Sequence, residues 1–111
     1  MTALHPSREQ FQLEEVLAAL GHPVRASIVR TLSSGGEMFC GAIVPGVPKS
    51  TLTHHWRVLR ESGVIYQRPS GRKLYITLRR DDLDARFPGL LDLLLAEESF
   101  GRAAEQTVST G

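Results

Sequence analysis

Residues 49 to 80 read KSTLTHHWRVLRESGVIYQRPSGRKLYITLRR and hold eight Lys or Arg residues against one acid, Glu61. Placed on a helix, Ser50 to Ser62 separates into two faces. Leu52, His55, Trp56 and Leu59 form one side, while Ser50, Thr53, His54, Arg57 and Glu61 form the other, which carries no large aliphatic residue. Gly63 supplies a left-handed stop, and two β-prone runs follow, Val64 to Arg68 and Lys73 to Leu78, flanking Pro69, Ser70 and Gly71. In the second run Leu74, Ile76 and Leu78 alternate with Lys73, Tyr75 and Thr77, so one sheet face is apolar and the other meets solvent or ligand. The stretch therefore predicts a helix with a polar outer face leading into a hairpin with a basic tip.

Upstream, Leu13, Val16, Leu17 and Leu20 recur at the spacing of one buried helical face, and Gly21 ends that helix. Pro23 suits the first turn of a second helix, whose buried side is Val24, Ile28, Val29 and Leu32 and whose stop is Ser33, Ser34, Gly35 and Gly36. Glu37 to Val44 reads as a short two-turn helix closed by Pro45, Gly46 and Pro48. Downstream, the charge reverses at Asp81, Asp82 and Asp84; one of the first two is expected to cap a short turn, and Pro88 to begin a last helix. Leu90, Leu91, Leu93, Leu94 and Leu95 make that helix more apolar than a surface helix requires, which points to subunit contact.

The predicted order of helix, helix, short helix, turn, amphipathic helix and basic hairpin is mainly α with a small β-hairpin wing, a winged helix-turn-helix. Residues 1–10 are expected to form a flexible arm, 11–100 the DNA-binding and dimerisation domain, and 101–111 a disordered tail. At 111 residues with 41% hydrophobic content there is material for one domain and one modest core. No run of about 18 apolar residues occurs, and Met1 to Gln10 lacks the charged-then-apolar order of a secretory signal, so a cytoplasmic protein with no membrane partner is expected. The only cysteine, Cys40, excludes an internal disulfide.

Charge suggests the partner. The 49–80 segment carries +7, and the other residues, with five Arg and eleven acids, carry −6, together the formal +1. A polyanion is drawn to one part of such a surface. A helix fits the major groove of B-DNA, where each base pair presents a distinct set of donors, acceptors and methyl groups, and a hairpin reaches the flanking backbone or minor groove. Lys49, Arg57, Arg68, Arg72 and Lys73 are suited to neutralise phosphates, and Ser50, Thr51, Thr53, His54 and Ser70 to hydrogen-bond bases or phosphates. Arg57, central on the polar face, is the strongest single candidate. Trp56 and His55 read as core, the histidine bonded to a neighbouring backbone group or hydroxyl, and Glu61 as a partner for Arg57. Arg60, Arg79 and Arg80 read as solvated or paired with acids.

The runs ALGHPVRASIVRTL, KSTLTHHWRVLRESGVI and RPSGRKLYITL resemble the ArsR/SmtB family of bacterial winged helix-turn-helix regulators over roughly Leu13 to Leu95. Ser50, Thr53, His55 and Leu59 fall at that family's usual polar, polar, His and Leu positions, followed by the Gly63 turn and a wing with Gly71, Arg72 and Tyr75. The resemblance implies a homodimer whose first and last helices pack together, here Leu13, Val16, Leu17, Leu90, Leu91 and Leu94, and a repressor on a nearly palindromic double-stranded operator. It also implies release by an effector, commonly a metal ion. This chain departs from that pattern. At the third helix it reads Glu37, Met38, Phe39, Cys40, Gly41 in place of a cysteine pair, and its last helix has Asp84 and Asp92 nearby but no histidine. No metal and no cofactor is therefore expected, beyond a makeshift pairing of Cys40 with His5, and the effector is left as an unknown small molecule. Redox sensing by Cys40 lacks a neighbouring cation or a second thiol in the chain. An enzyme is not expected, since neither a Ser/His/Asp or Cys/His constellation nor a phosphate loop is present. A winged helix that reads a protein partner is the alternative, against which the basic residues on both helix and hairpin argue.

Overall fold

Gly63 adopts φ 94°, the left-handed conformation, and closes the helix Lys49–Ser62 with Gly63 N–H donating to the Arg60 carbonyl at 3.2 Å and Val64 N–H to the Leu59 carbonyl at 3.0 Å. This pair of bonds is a Schellman cap, which satisfies end carbonyls and turns the chain sharply into the next strand. Around it, the computed structural model describes residues 5–35, 38–39 and 46–102. A 3₁₀ turn, Arg8–Gln10, precedes α1 (Leu13–Leu20), α2 (Pro23–Ser33), β1 (Met38–Phe39), α3 (Lys49–Ser62), β2 (Ile65–Ser70), β3 (Lys73–Leu78), α4 (Arg80–Arg86) and α5 (Leu90–Ala96). The fold is the winged helix-turn-helix expected from the sequence.

Pro23 begins α2 as anticipated, and the cap before it is His22, whose Nδ1 accepts from Val24 N–H at 3.1 Å. Helix α3 packs on α1, α2 and β2, burying Leu52, Trp56 and Leu59. Val16, Ala19 and Leu20 of α1, Ile28, Val29 and Leu32 of α2, Ile65 and Ile76 of the sheet, Leu83 of α4 and Leu91 of α5 complete one core. Each buried Val, Leu or Ile side chain among these contributes about 1.5–3 kcal/mol on removal from water.

Four local expectations change. Met38–Phe39, assigned to a short helix, instead forms β1, paired antiparallel with β3 through Met38 opposite Ile76 and Phe39 opposite Tyr75. The remainder of that predicted helix lies outside the described residues. A short segment of weak helical period gains more from the free edge of β3 than from two isolated turns. The sheet is thus three-stranded, in the order β1-β3-β2. In the hairpin, Pro69 and Ser70 belong to β2, and only Gly71 and Arg72 form the turn. Proline is tolerated there because β2 is an edge strand. The acidic stretch after Arg80 forms the full helix α4, with Asp81 and Asp82 in its first turn. Pro88 does not open α5, because Gly89, at φ 85°, stands between it and the first helical residue, Leu90.

The ends are docked where they are described. His5 stacks on Tyr66 with ring centroids 4.3 Å apart, and its Nε2 accepts from Gln67 N–H at 3.0 Å. Arg8 binds Asp82 at 2.8 Å, and Arg79 donates to the Pro6 carbonyl. At the other end Arg30 donates to the carbonyls of Phe100, Leu95 and Glu97, and Gly101 is buried with its backbone against Ala26. Residues 103–111 of the expected tail lie outside the described residues.

A Cβ at Gly63 would stand 2.7 Å from the Cδ1 and Cζ atoms of the buried Phe11 ring. Gly63→Ala therefore combines a left-handed backbone with a steric overlap, and is expected to destabilise the protein by more than about 2 kcal/mol in denaturant unfolding. Gly71→Ala, at φ 61° with nothing near its added carbon, is expected to cost less.

Candidate nucleic-acid interface

All five polar candidates on the outer side of α3 and its start, Ser50, Thr51, Thr53, His54 and Arg57, are exposed, as is Lys49. The opposite face is closed. His55 is 3% exposed and Trp56 5%, and both sit in the packed interior of the helix bundle. The Thr53 hydroxyl donates to the Lys49 carbonyl at 3.0 Å, which fixes its rotamer and leaves its lone pairs outward. Among the described residues Arg57 has no ion pair; Glu61, the partner expected for it, instead lies 3.7 Å from Arg60. One helical turn of separation did not suffice, because Arg60 is held half-buried beside Glu61 by the wing, donating to Gln67 Oε1 at 3.1 Å.

The recognition helix is fastened from behind by a residue that sequence reading passed over. Arg25, on α2, donates through Nε to the Ala19 carbonyl at 2.8 Å and through one terminal nitrogen to the Ala18 carbonyl at 3.3 Å. Its other terminal nitrogen lies 2.9 Å from His55 Nδ1. Because guanidinium only donates, His55 must accept at Nδ1 and carry its proton on Nε2. His55 is therefore a core histidine, as its face implied, but its partner is a cation rather than a backbone group or hydroxyl. A signal existed: a histidine on an apolar face needs a polar partner, and Arg25 lies in the first turn of the preceding helix. Burial first, then the charges of His22, Arg25 and His54, push the His55 pKa down to about 4. The His22 ring stands 4.4 Å from that of His55, and its own pKa is lowered by burial, Arg25 and His54.

The wing brings a second basic group to the surface. Arg68, Ser70, Arg72 and Lys73 are all exposed, with Arg68 lying over the Tyr75 ring at 5.2 Å. The +7 segment is then sorted by pairing. Arg79 binds Asp82 at 2.9 Å, and Arg80 binds both Asp84, at 3.4 Å, and Asp92. Burial alone raises the Asp82 pKa, but hydrogen bonds from Arg8 and Arg79 outweigh it and bring the carboxyl below its ordinary value. The more exposed Arg80 pairs contribute at most about 1 kcal/mol each to stability. Their larger effect is to cancel charge, which concentrates the positive field on α3 and the hairpin tip.

Comparison with known proteins agrees with this geometry. A family model described as a helix-turn-helix domain matches residues 20–68. The uncharacterized HTH-type transcriptional regulator YceK of Bacillus subtilis is 35% identical over 83 residues, covering 72% of this chain and 83% of that protein. The chain belongs to the ArsR/SmtB family. A second regulator, the uncharacterized HTH-type MJ1325 of Methanocaldococcus jannaschii, is 30% identical over 59 residues, covering 51% of this chain and 66% of that one. A crystal structure described as a possible transcriptional regulator for arsenical resistance superposes with a TM-score of 0.57 at 28% identity, over 90% of this chain and 98% of the other. The protein is thus a DNA-binding transcriptional regulator.

The fold bears on two other groups of residues that the resemblance singled out. Of the six leucine and valine residues expected at a subunit seam, Val16 and Leu91 are buried at 0% and 1% exposure and have no surface to offer; they fill the chain's own core. Leu13 and Leu17 are about half exposed, Leu90 and Leu94 are partly covered, and Leu93, a member of the same leucine cluster, is the most exposed large apolar residue among the described residues at 65%. Leu93 follows Leu91 and Asp92 on α5, so helical rotation carries it outward as Leu91 turns in. Cys40 lies outside the described residues, and His5 is occupied by Gln67 and Tyr66. Among the described residues no group of three or more His, Cys, Asp or Glu is placed to hold a metal ion, and no helix is long and apolar enough to cross a membrane.

Since the folded protein holds His55 neutral down to about pH 4 while the unfolded chain protonates it near the ordinary 6.5, unfolding takes up a proton between those values. The stabilisation is complete above 6.5 and is lost as pH falls through that window, with His22 and His5 shifted in the same direction. Denaturant unfolding at neutral and mildly acid pH is expected to show this loss. His55→Asn, which keeps an acceptor for Arg25 but does not titrate, is expected to reduce it, the remainder coming from His22 and His5.

Proposed function

We propose that the protein is a homodimeric repressor that binds an inverted-repeat operator, with α3 in the major groove and the β2–β3 hairpin on the flanking backbone. The observation that carries this reading is the division of α3 into a closed apolar face and an exposed face of Ser50, Thr51, Thr53, His54 and Arg57, continuous in sequence with the basic hairpin. Arg57 is assigned to a base or a central phosphate, Ser50, Thr53 and His54 to base edges or nearby phosphates, and Lys49, Thr51, Arg68, Ser70, Arg72 and Lys73 to the backbone. Arg60, Arg79 and Arg80 are left out, because each is engaged within the protein.

Residues 11–100 act as one DNA-binding and dimerisation unit. Its subunit seam is assigned to Leu13 and Leu17 of α1 with Leu90, Leu93 and Leu94 of α5, which leave apolar surface in the single chain. Occupying both half-sites of an operator needs two recognition helices about 34 Å apart, which a two-fold dimer provides and a monomer does not. The effector is assigned to a class other than metal ions, in keeping with the donor groups described above.

Selection of bound duplexes from a random library is expected to recover an inverted repeat. Binding to it is expected to weaken steeply with salt, as phosphate neutralisation requires. A flat salt response would point to a protein partner instead. Arg57→Ala is expected to cost about 1–3 kcal/mol of operator affinity. Leu17→Glu is expected to shift the protein to monomer in sedimentation and to abolish binding to the full repeat, while a melting curve reports an intact fold; a Leu17→Glu protein that remained dimeric would remove α1 from the seam.

A further inference from the structure

Between the recognition helix and the wing lies a cleft of about 310 Å³, lined by Lys49, Leu52, Thr53, Trp56, Arg57, Arg60, Gln67 and Leu74. Its composition is amphiphilic. Leu52, Trp56 and Leu74 give it an apolar side, whereas Lys49, Arg57 and Arg60 bring three cations to it and no acid lines it. Arg60 is the informative member. One terminal nitrogen donates to Gln67 Oε1 and the other faces Glu61 at 3.7 Å, but its buried Nε has no hydrogen-bond partner among the described residues. Arg60 is thus a cation of the cleft wall whose donors are incompletely satisfied within the protein.

We infer that this cleft binds a small organic anion, a carboxylate on a compact apolar body, as the regulator's effector. The apolar body lies against Leu52, Trp56 and Leu74, and the carboxylate is held by the cations that line the cleft, Lys49, Arg57 and Arg60, by charge-assisted hydrogen bonds. Apolar walls with a few convergent polar groups are the usual make-up of a small-molecule site. Because Lys49, Thr53 and Arg57 belong both to this cleft and to the surface assigned to DNA, an occupied cleft removes their charge and hydrogen bonds from the operator. Ligand and DNA then compete, which is derepression without a metal ion. This regulatory step rests on the function proposed above, whereas binding in the cleft does not.

Trp56 is the only tryptophan of the chain and lines the cleft, so its emission reports occupancy without DNA present. Benzoate is the probe, with benzyl alcohol lacking the charge and inorganic phosphate lacking the apolar body. Benzoate is expected to change Trp56 emission saturably, at concentrations at least about tenfold below those of either control. Arg60→Gln is expected to weaken benzoate at least about tenfold while operator affinity stays within about twofold. Leu74→Glu, at a partly exposed wing position, is expected to abolish benzoate binding by placing a carboxylate in the cleft; thermal melting of each variant checks its fold. A Trp56 signal that fails to saturate, or that is equal for benzoate and benzyl alcohol, or that survives Leu74→Glu in folded protein, overturns the inference. Saturating benzoate is expected to release wild-type protein from its operator. Tight benzoate binding with no such release would leave a ligand site but overturn its role as effector site, and a protein that binds benzoate but no duplex would instead sink the operator reading.

Discussion

The contact between Gly63 and Phe11 governs the geometry of the whole DNA-facing surface. Gly63 must be left-handed for the recognition helix to stop and for the chain to enter the sheet at Ile65, and the Phe11 ring fills the space a side chain would occupy. Phe11 is in turn covered by the Arg79 guanidinium, 4.9 Å from its ring centre, and Arg79 is held by Asp82 and the Pro6 carbonyl. A single turn thus joins the segment before α1, the end of α3, the end of β3 and the start of α4. The angle between recognition helix and wing follows from that packing, because close-packed interiors leave no room for a gradual range of alternatives.

Charge is distributed by the same economy of contacts. The basic segment is uniform in sequence, yet its arginines divide according to what lies across from them in space. Arg79 and Arg80 meet the acids of α4 and α5, and Arg60 turns inward toward Gln67. Lys49, Arg57, Arg68, Arg72 and Lys73 stay on the exposed helix face and hairpin. Arg25 performs a comparable task inside the molecule, bridging the last carbonyls of α1 to His55 of α3, so that the helix bearing the exposed Leu13 and Leu17 is tied to the back of the recognition helix by hydrogen bonds as well as by packing.

Much of the fold was legible in the residue order because its elements obey local rules. The 3.6-residue period of Leu13 to Leu20 and of Ser50 to Ser62, proline at the start of α2, and glycine at the end of α3 are signals confined to a turn or two of chain. The two faces of α3 followed from the same period, which is why the buried state of Leu52, His55, Trp56 and Leu59 was readable. Two of the differences share one cause. Met38–Phe39 becomes a strand only because β3 has a free edge, and Val16 and Leu91 are closed off in the core only because other helices reach them first. No local pattern encodes either circumstance.

The sequence by itself therefore determined the order of the elements, the polar face of the recognition helix, the basic hairpin and the family, since each rests on spacing along the chain. Only the tertiary structure decided which of several equivalent leucines remain exposed, which arginines are spent on internal partners, and that Arg25 rather than a backbone group satisfies His55. It also decided that Trp56, Arg60 and Leu74 meet around one cleft. The physical reason is that pairing and burial depend on distances between residues far apart in the chain, and those distances exist only after the core has closed.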